Sequence, residues 1–503
     1  MPKKQSGLLL GLILIVLGCL NSLGQVQPTG PLVSLTLSEG ALGPGFSPGR
    51  TQYWARVDFA VESLTLTPVS KEPDAAILVG GRPVRSAQSS PPLPLAVGRT
   101  IIAVEVKGKA GAPDFVYRIN VTRELEVPAW VQVGTGNPWV PRDSCGELVF
   151  DGKMWLFGGY TPKVVADIWA SEDGANWTPS GSIPSPEGVN IPINFVFRGK
   201  MWLTDNKDAF YMSADGKTWE QVVAGIPPFG RAGAGGAVFR DRMWILGGRK
   251  GSEVYNDVWS SSDGVNWTCE IKEAPWSRRH FFGALVVAFK EKLWILGGAI
   301  QAYHPFRAYT DVWSSSDGRN WTKTADGPWP PRMWNTAVVY RDRVWLIGGF
   351  RGEPTWNNFN DVWYSSDGVE WKQMPSPRIW SPRHELSAYV FKDKIWVVGG
   401  NAWPLMNDVW SLEIPGFVFL SQPPIEEFVG CPYAYRAVAD FNSGGRPVRY
   451  RLAAGPKWLS VEAETGWVRG VPPETGDFPV VIEASDGAGE VIRQSFTIHV
   501  IPL

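Results

Sequence analysis

Six tryptophans, Trp155, Trp202, Trp244, Trp294, Trp345 and Trp396, recur at spacings of 42 to 51 residues, each inside a short apolar run. A unit of that length cannot bury a core alone, so copies must pack against one another. Five of the runs end in a glycine pair, at Gly158-Gly159, Gly247-Gly248, Gly297-Gly298, Gly348-Gly349 and Gly399-Gly400, whereas the second unit has Thr204-Asp205 there. The unit from Arg332 to Trp371 shows the pattern most fully. Ala337 to Tyr340 and Val344 to Ile347 flank a charged turn at Arg341-Asp342, and Asp361-Val362-Trp363 is joined to Trp371 through an Asp367-Gly368 turn. Such a unit reads as a four-stranded antiparallel meander.

The last unit stops after its third strand, at Trp410-Ser411-Leu412, while Trp130-Val131-Gln132-Val133 before the first unit looks like a fourth strand. Exchange of that strand between the ends would close a ring and leave no open sheet edge. The expectation is an all-β, six-bladed propeller. The paired glycines and the aromatic residues of strands three and four resemble the kelch motif. The recurring Ser-x-Asp-Gly-x-x-Trp, as at Ser261 to Trp267, resembles a shortened Asp-box of the kind found in sialidases. Because it recurs from blade to blade, it is read as a structural turn.

Charge is balanced, at 48 basic and 49 acidic residues among 503, which gives no reason to expect nucleic-acid binding. With 44% hydrophobic residues, 55 Gly and 42 Pro, the composition suits a turn-rich β protein of several domains. Residues 1–24 read as a secretory signal, with Lys3-Lys4 before the apolar run Leu8 to Leu17. Val16-Leu17-Gly18-Cys19 resembles a bacterial lipobox, which would make Cys19 a lipid anchor to the membrane; cleavage after Gly24 would instead release the protein. Cys145, Cys269 and Cys431 imply no disulfide framework. The Asn-Trp-Thr triplets at Asn176, Asn266 and Asn320 belong to the repeat and are read as structure rather than as glycosylation sites. The chain is expected to be a monomer.

The propeller is assigned to residues 128–415, with a domain on each side. Residues 31–123 carry Leu35 to Gly40, Phe46 to Tyr53, Leu93 to Gly98 and Tyr117 to Thr122. These resemble the bacterial cadherin-like β-sandwich family, which implies an extracellular spacer or adhesion module. Residues 416–503 carry Tyr433-Ala434-Tyr435, Gly455 to Ser460, Thr465 to Gly470 and Ala484 to Gly487. These resemble Ig-like, dystroglycan-type cadherin-like domains. Some members of that family bind calcium, but here only Asp440 and Asp486 offer themselves, and six to eight oxygen ligands are needed. Both are read as turn formers.

Function should sit where the repeat stops repeating. The hairpin turns on one face are uniformly polar. The entry face carries Trp139, Trp276, Trp329 and Trp380, each three residues before an arginine, at Arg142, Arg279, Arg332 and Arg383, with Arg231 at the same place in unit three. Long loops add Tyr303, His304, Arg307, Trp356 and Trp403. Converging guanidiniums match carboxylate or phosphate oxygens, and indoles make platforms for sugar rings. The expectation is an extracellular binding or adhesion protein, with a glycan, anionic in character, or a protein as ligand. The other reading is that each Arg bonds carbonyls of the next blade and each Trp fills a gap between blades.

No cofactor or metal is expected. The galactose oxidases also use a kelch propeller, but their copper ligand set of His and Tyr cannot be assembled here. The secreted N-acetylneuraminate epimerases, also six-bladed kelch proteins, supply the alternative of an acid/base enzyme on an acidic sugar, with Glu385 and His384 as candidates. One observation separates the readings: an enzyme needs a titratable pair within hydrogen-bond reach in the pocket, whereas a binding head can manage with Arg and aromatic residues.

Overall fold

The computed structural model describes residues 30–502, except 110–111, 206, 208, 225–227, 281–284 and 302–304. The leader, Cys19, Tyr303 and His304 lie outside the described residues. The described chain is built of strands, with a single 3-10 turn at Ser443–Gly445, and none of its helices is long and apolar enough to cross a membrane. It divides into two compact units, residues 1–126 and 127–503.

In the first unit a five-stranded sheet (Gln52–Val57, Phe115–Arg123, Gly98–Val106, Ile77–Val79, Arg82–Val84) forms a core with the pair Leu32–Leu37 and Leu66–Ser70. Alternation along Gln52–Val57 buries Tyr53, Ala55 and Val57, the signature of a sheet with one face covered. Tyr117 ties the layers: its hydroxyl donates to the Pro48 carbonyl and accepts from the Leu32 amide.

The second unit contains six four-stranded antiparallel blades whose first strands touch one another around a closed circle. Those strands are Gly146–Phe150, Asn194–Phe197, Gly235–Phe239, Val286–Phe289, Thr336–Tyr340 and Ser387–Phe391. Blade six takes its outer strand from Val131–Gly134, which pairs antiparallel with Val409–Leu412. Trp130 takes the place of the fourth-strand tryptophan, stacking on Trp380 as Trp371 packs on Trp329 in blade five.

The periodic tryptophans weld each blade internally and to the next. Every indole, from Trp155 to Trp396, donates to the carbonyl of the residue five positions earlier, at the end of strand one, at 2.8–3.1 Å. In every case but Trp345 the ring is then roofed by the turn glycine of the following blade. A Cβ on Gly318 would stand 2.3 Å from the Trp244 ring, and φ is +75° there, so the turn requires glycine on both counts. The Asp of each turn accepts two backbone amides, and the Asn176, Asn266 and Asn320 side chains donate to it. The Asn-Trp-Thr triplets are thus engaged in the turn.

Blade six has no such turn to cover Trp345 of blade five. The C-terminal domain covers it instead: Phe441 stacks on Trp345 with ring centroids 5.7 Å apart and planes 7° from parallel. Beside it, Asp440 accepts from Arg343, Lys372 and Tyr364 of blade five. Burial pushes the Asp440 carboxyl up, but Lys372 and Arg343 outweigh it and hold the group below the ordinary carboxylate range. Asp440 is therefore a docking residue, which corrects its reading as a turn former. Asp486 accepts the Ala488 and Glu490 amides and binds Arg446, as a turn residue does.

Candidate functional site

The five blade arginines do not face a ligand. Each is buried, at 0–7% exposure, and forks onto the Asp of its own blade's third strand: Arg142 on Asp167, Arg231 on Asp257, Arg279 on Asp311, Arg332 on Asp361 and Arg383 on Asp408. The Nη1 atom of each also donates to the first glycine of the Gly-Gly pair at 2.8–3.0 Å. The same Asp accepts the indole two residues on, as Asp167 does from Trp169 at 2.7 Å. Burial raises the Asp167 and Asp311 carboxyls, yet Arg142 and Arg279 bring both below their usual value. This explains why Trp-x-x-Arg, Gly-Gly and Asp-x-Trp occur together: they are one strut. The ligand-binding expectation for these arginines is corrected accordingly.

Trp139, Trp276, Trp329 and Trp380 are likewise buried, each against the fourth-strand tryptophan of the blade it leads into, and offer no platform. Arg307 is exposed at the start of the third strand of blade four.

Among the described residues, the one two after Arg142, Arg231, Arg332 and Arg383 turns left-handed. Ser144, Gly233, Trp334 and Glu385 have φ of +58°, +62°, +58° and +50°, and Ile191 of blade two has +50°. Their peptides link round the channel: Glu385 N–H donates to Trp334 O, Ser144 N–H to Glu385 O, and Ile191 N–H to Ser144 O, at 2.8–3.2 Å. The residue between, one after the arginine, bridges to the residue just past the glycine pair, as Asp143 does to Tyr160 and His384 to Asn401. These three positions form the mouth of the channel, and their identities differ from blade to blade.

Where blades five, six and one meet, the mouth gathers aromatic and titratable groups. His384 is buried, stacked on Trp334 at 4.9 Å and close to Phe350, while Trp356 and Trp403 pack edge-on to Phe350 with 48% and 55% of their own surface open. His384 Nδ1 lies 2.7 Å from Asn358 Oδ1, and the Asn358 amide donates to the Asn401 carbonyl. That second bond fixes the amide's orientation, so Nδ1 carries the hydrogen and Nε2 a lone pair. Nε2 faces Glu385 Oε2 at 3.5 Å. Asn401 in turn donates to Asp143 Oδ2 at 3.0 Å.

Burial lowers the His384 pKa to about 3 and keeps the ring neutral. Burial, reinforced by Asp143, raises Glu385 to about 8, and burial also raises Asp143 against the opposing pull of Asn401 and Ser144. Below the mouth, a cavity of about 160 Å³ is lined by Ser144, Cys145, Glu147, Asn194 and Glu385, among others. Burial raises Glu147 to about 8 and drives the Cys145 thiol well up, which favours the thiol over the thiolate.

Comparisons with known proteins agree with this architecture. Residues 32–124 match the cadherin-like beta sandwich domain family, and residues 419–501 match the putative Ig domain family. Kelch domain-containing protein 1 of Mus musculus is 23% identical over 249 residues, 48% of this chain and 56% of that protein. This is a kelch propeller flanked by two β domains. The leucine-zipper-like transcriptional regulator 1 homolog of Drosophila melanogaster is 22% identical over 230 residues, 44% of this chain. The match spans only 20% of that relative and little more than half of the mouse protein. A solved structure of YjhT aligns at TM-score 0.45 and 14% identity, over 55% of this chain and 96% of that one.

Within the kelch propeller, the sequence named Glu385 and His384, which the structure brings together, but not Asp143, Asn358, Asn401, Trp334 and Phe350 beside them. The signal was present: the positions just after the blade arginine and just after the glycine pair vary while their neighbours repeat. A regular strut needs the same residues each time. A site does not.

Proposed function

We propose that this is a secreted or cell-surface carbohydrate-recognition protein whose ligand sits at the mouth formed by blades five, six and one. The observation that carries the reading is the pair of open indoles, Trp356 and Trp403, on a buried aromatic base beside a shelf of amide and carboxyl groups. Exposed tryptophan faces next to fixed polar groups suit the ring of a sugar. With the blade arginines engaged in struts, the ligand is held by stacking and hydrogen bonds rather than by converging guanidiniums. The N-terminal domain serves as the spacer from the cell surface, and Cys19 as the anchor where the lipobox is processed. A glycan-array screen of the purified protein tests this: cyclic glycans should be retained, and an array with no retained glycan would contradict it.

A second reading has its own observation. Glu385 and His384 face each other at 3.5 Å in the same mouth, a little beyond the hydrogen-bond reach asked of an acid/base pair. Ring opening and closing of a bound sugar, of the kind the N-acetylneuraminate epimerases carry out, is the chemistry that pair supports. Proton NMR of retained sugars should then show accelerated exchange between anomers, abolished in Glu385→Gln. Binding without acceleration would leave recognition as the whole function.

A further inference from the structure

We infer that Asp143, His384 and Glu385 form a binding site for a divalent transition-metal cation at the channel mouth. One donor atom from each lies within 4.8 Å of the others. The His384 Nε2 to Glu385 Oε2 distance, 3.5 Å, is already what two ligands of one ion show, since tetrahedral ligands about 2.1 Å from zinc stand about 3.4 Å apart. Asp143 needs only a small side-chain movement to complete the set.

Two independent features point to a ligand. Asp143 is 4% exposed, and its Oδ1 is buried with no hydrogen-bond partner, although Oδ2 is held by Asn401. A buried carboxylate oxygen without a donor is costly, and a cation removes the cost. The surrounding shell is also organised as metal sites require. Asn358 accepts from His384 Nδ1, fixing the tautomer that presents Nε2, and Asn401 orients Asp143 while its own carbonyl holds Asn358.

The donor set selects the ion. One imidazole with two carboxylates suits zinc, manganese or ferrous iron better than calcium, which asks for six to eight oxygens. Three protein ligands leave at least one coordination position for water or for a hydroxyl of whatever occupies the mouth. The inference stands whether or not that occupant is a sugar, because it concerns the ion alone.

The test uses the purified protein, stripped with a chelator, and titrated with zinc chloride in a calorimeter. One equivalent should bind, and Asp143→Asn or His384→Gln should each abolish that binding. Asn358→Ala, which frees the imidazole without removing a ligand, should weaken it about tenfold. Cobalt substitution of the wild-type protein supplies a second readout that needs no variant. A d–d spectrum without a thiolate charge-transfer band supports the site. Absence of zinc binding, binding undiminished in folded Asp143→Asn and His384→Gln, or a thiolate band from Cys145, Cys269 or Cys431 would overturn it.

Discussion

Arg332 shows what a single residue does in this chain. Its guanidinium satisfies Asp361, the Gly348 carbonyl and the Pro330 carbonyl, and lies 3.9 Å over the Phe359 ring, with 1% of its own surface exposed. Arg332→Ala leaves Asp361 without its counter-charge and should cost about 3–5 kcal/mol in chemical denaturation. A variant that melts with the parent would show that the strut is idle. Glu147 offers a pH test. Its folded pKa of about 8 lies above the ordinary 4.5, set by burial and opposed by the Ser387 hydroxyl, with Tyr389 and Cys145 as titratable neighbours. The folded state therefore holds a proton that the unfolded state releases above about pH 4.5, and stability falls as pH rises from there to about 8. Glu147→Gln should remove that loss, stabilising the protein by roughly 1–3 kcal/mol at pH 8 and leaving it unchanged at pH 4. Equal melting shifts at both pH values would refute the buried-acid account.

At the scale of the element, the blade was legible from sequence because its marks are local. Alternating strands, a Gly-Gly stop and an Asp-Gly turn each answer to backbone geometry within a few residues. The exchanged strand at Val131–Gly134 was legible for a topological reason: a ring cannot end on an unpaired edge. The role of Arg332 was not, because Trp-x-x-Arg looks the same whether the guanidinium turns outward or folds back on an Asp 29 residues later. The cluster of Asp143 with His384 and Glu385 was hidden for a related reason, since more than 240 residues separate partners that only ring closure brings together. The turn glycines offer a test of the inter-blade contact. Gly318→Ala would press a methyl into Trp244 at a positive φ and should destabilise by about 1–3 kcal/mol, whereas Gly199→Ala, where a Cβ meets nothing, pays only for φ. Equal losses would mean that the indole contact is unimportant.

At the scale of the whole molecule, the Ig-like domain is packed onto blade five of the propeller. Phe441 covers the one periodic tryptophan that no turn glycine reaches, and Asp440 is held by three side chains of blade five. Ending the chain at Pro415 should therefore lower the propeller's melting temperature, and Phe441→Ala should reproduce part of the loss; an unchanged melt would make that domain a mere appendage. The same picture separates the groups that build the ring from those proposed to meet a ligand. The first are buried and repeat; the second gather at one mouth and vary. The most direct measurement of that separation is glycan binding by the Trp356→Ala/Trp403→Ala double variant beside its melting curve. The account predicts wild-type melting with binding lost; retained binding with wild-type melting would contradict it and place the site elsewhere on the ring.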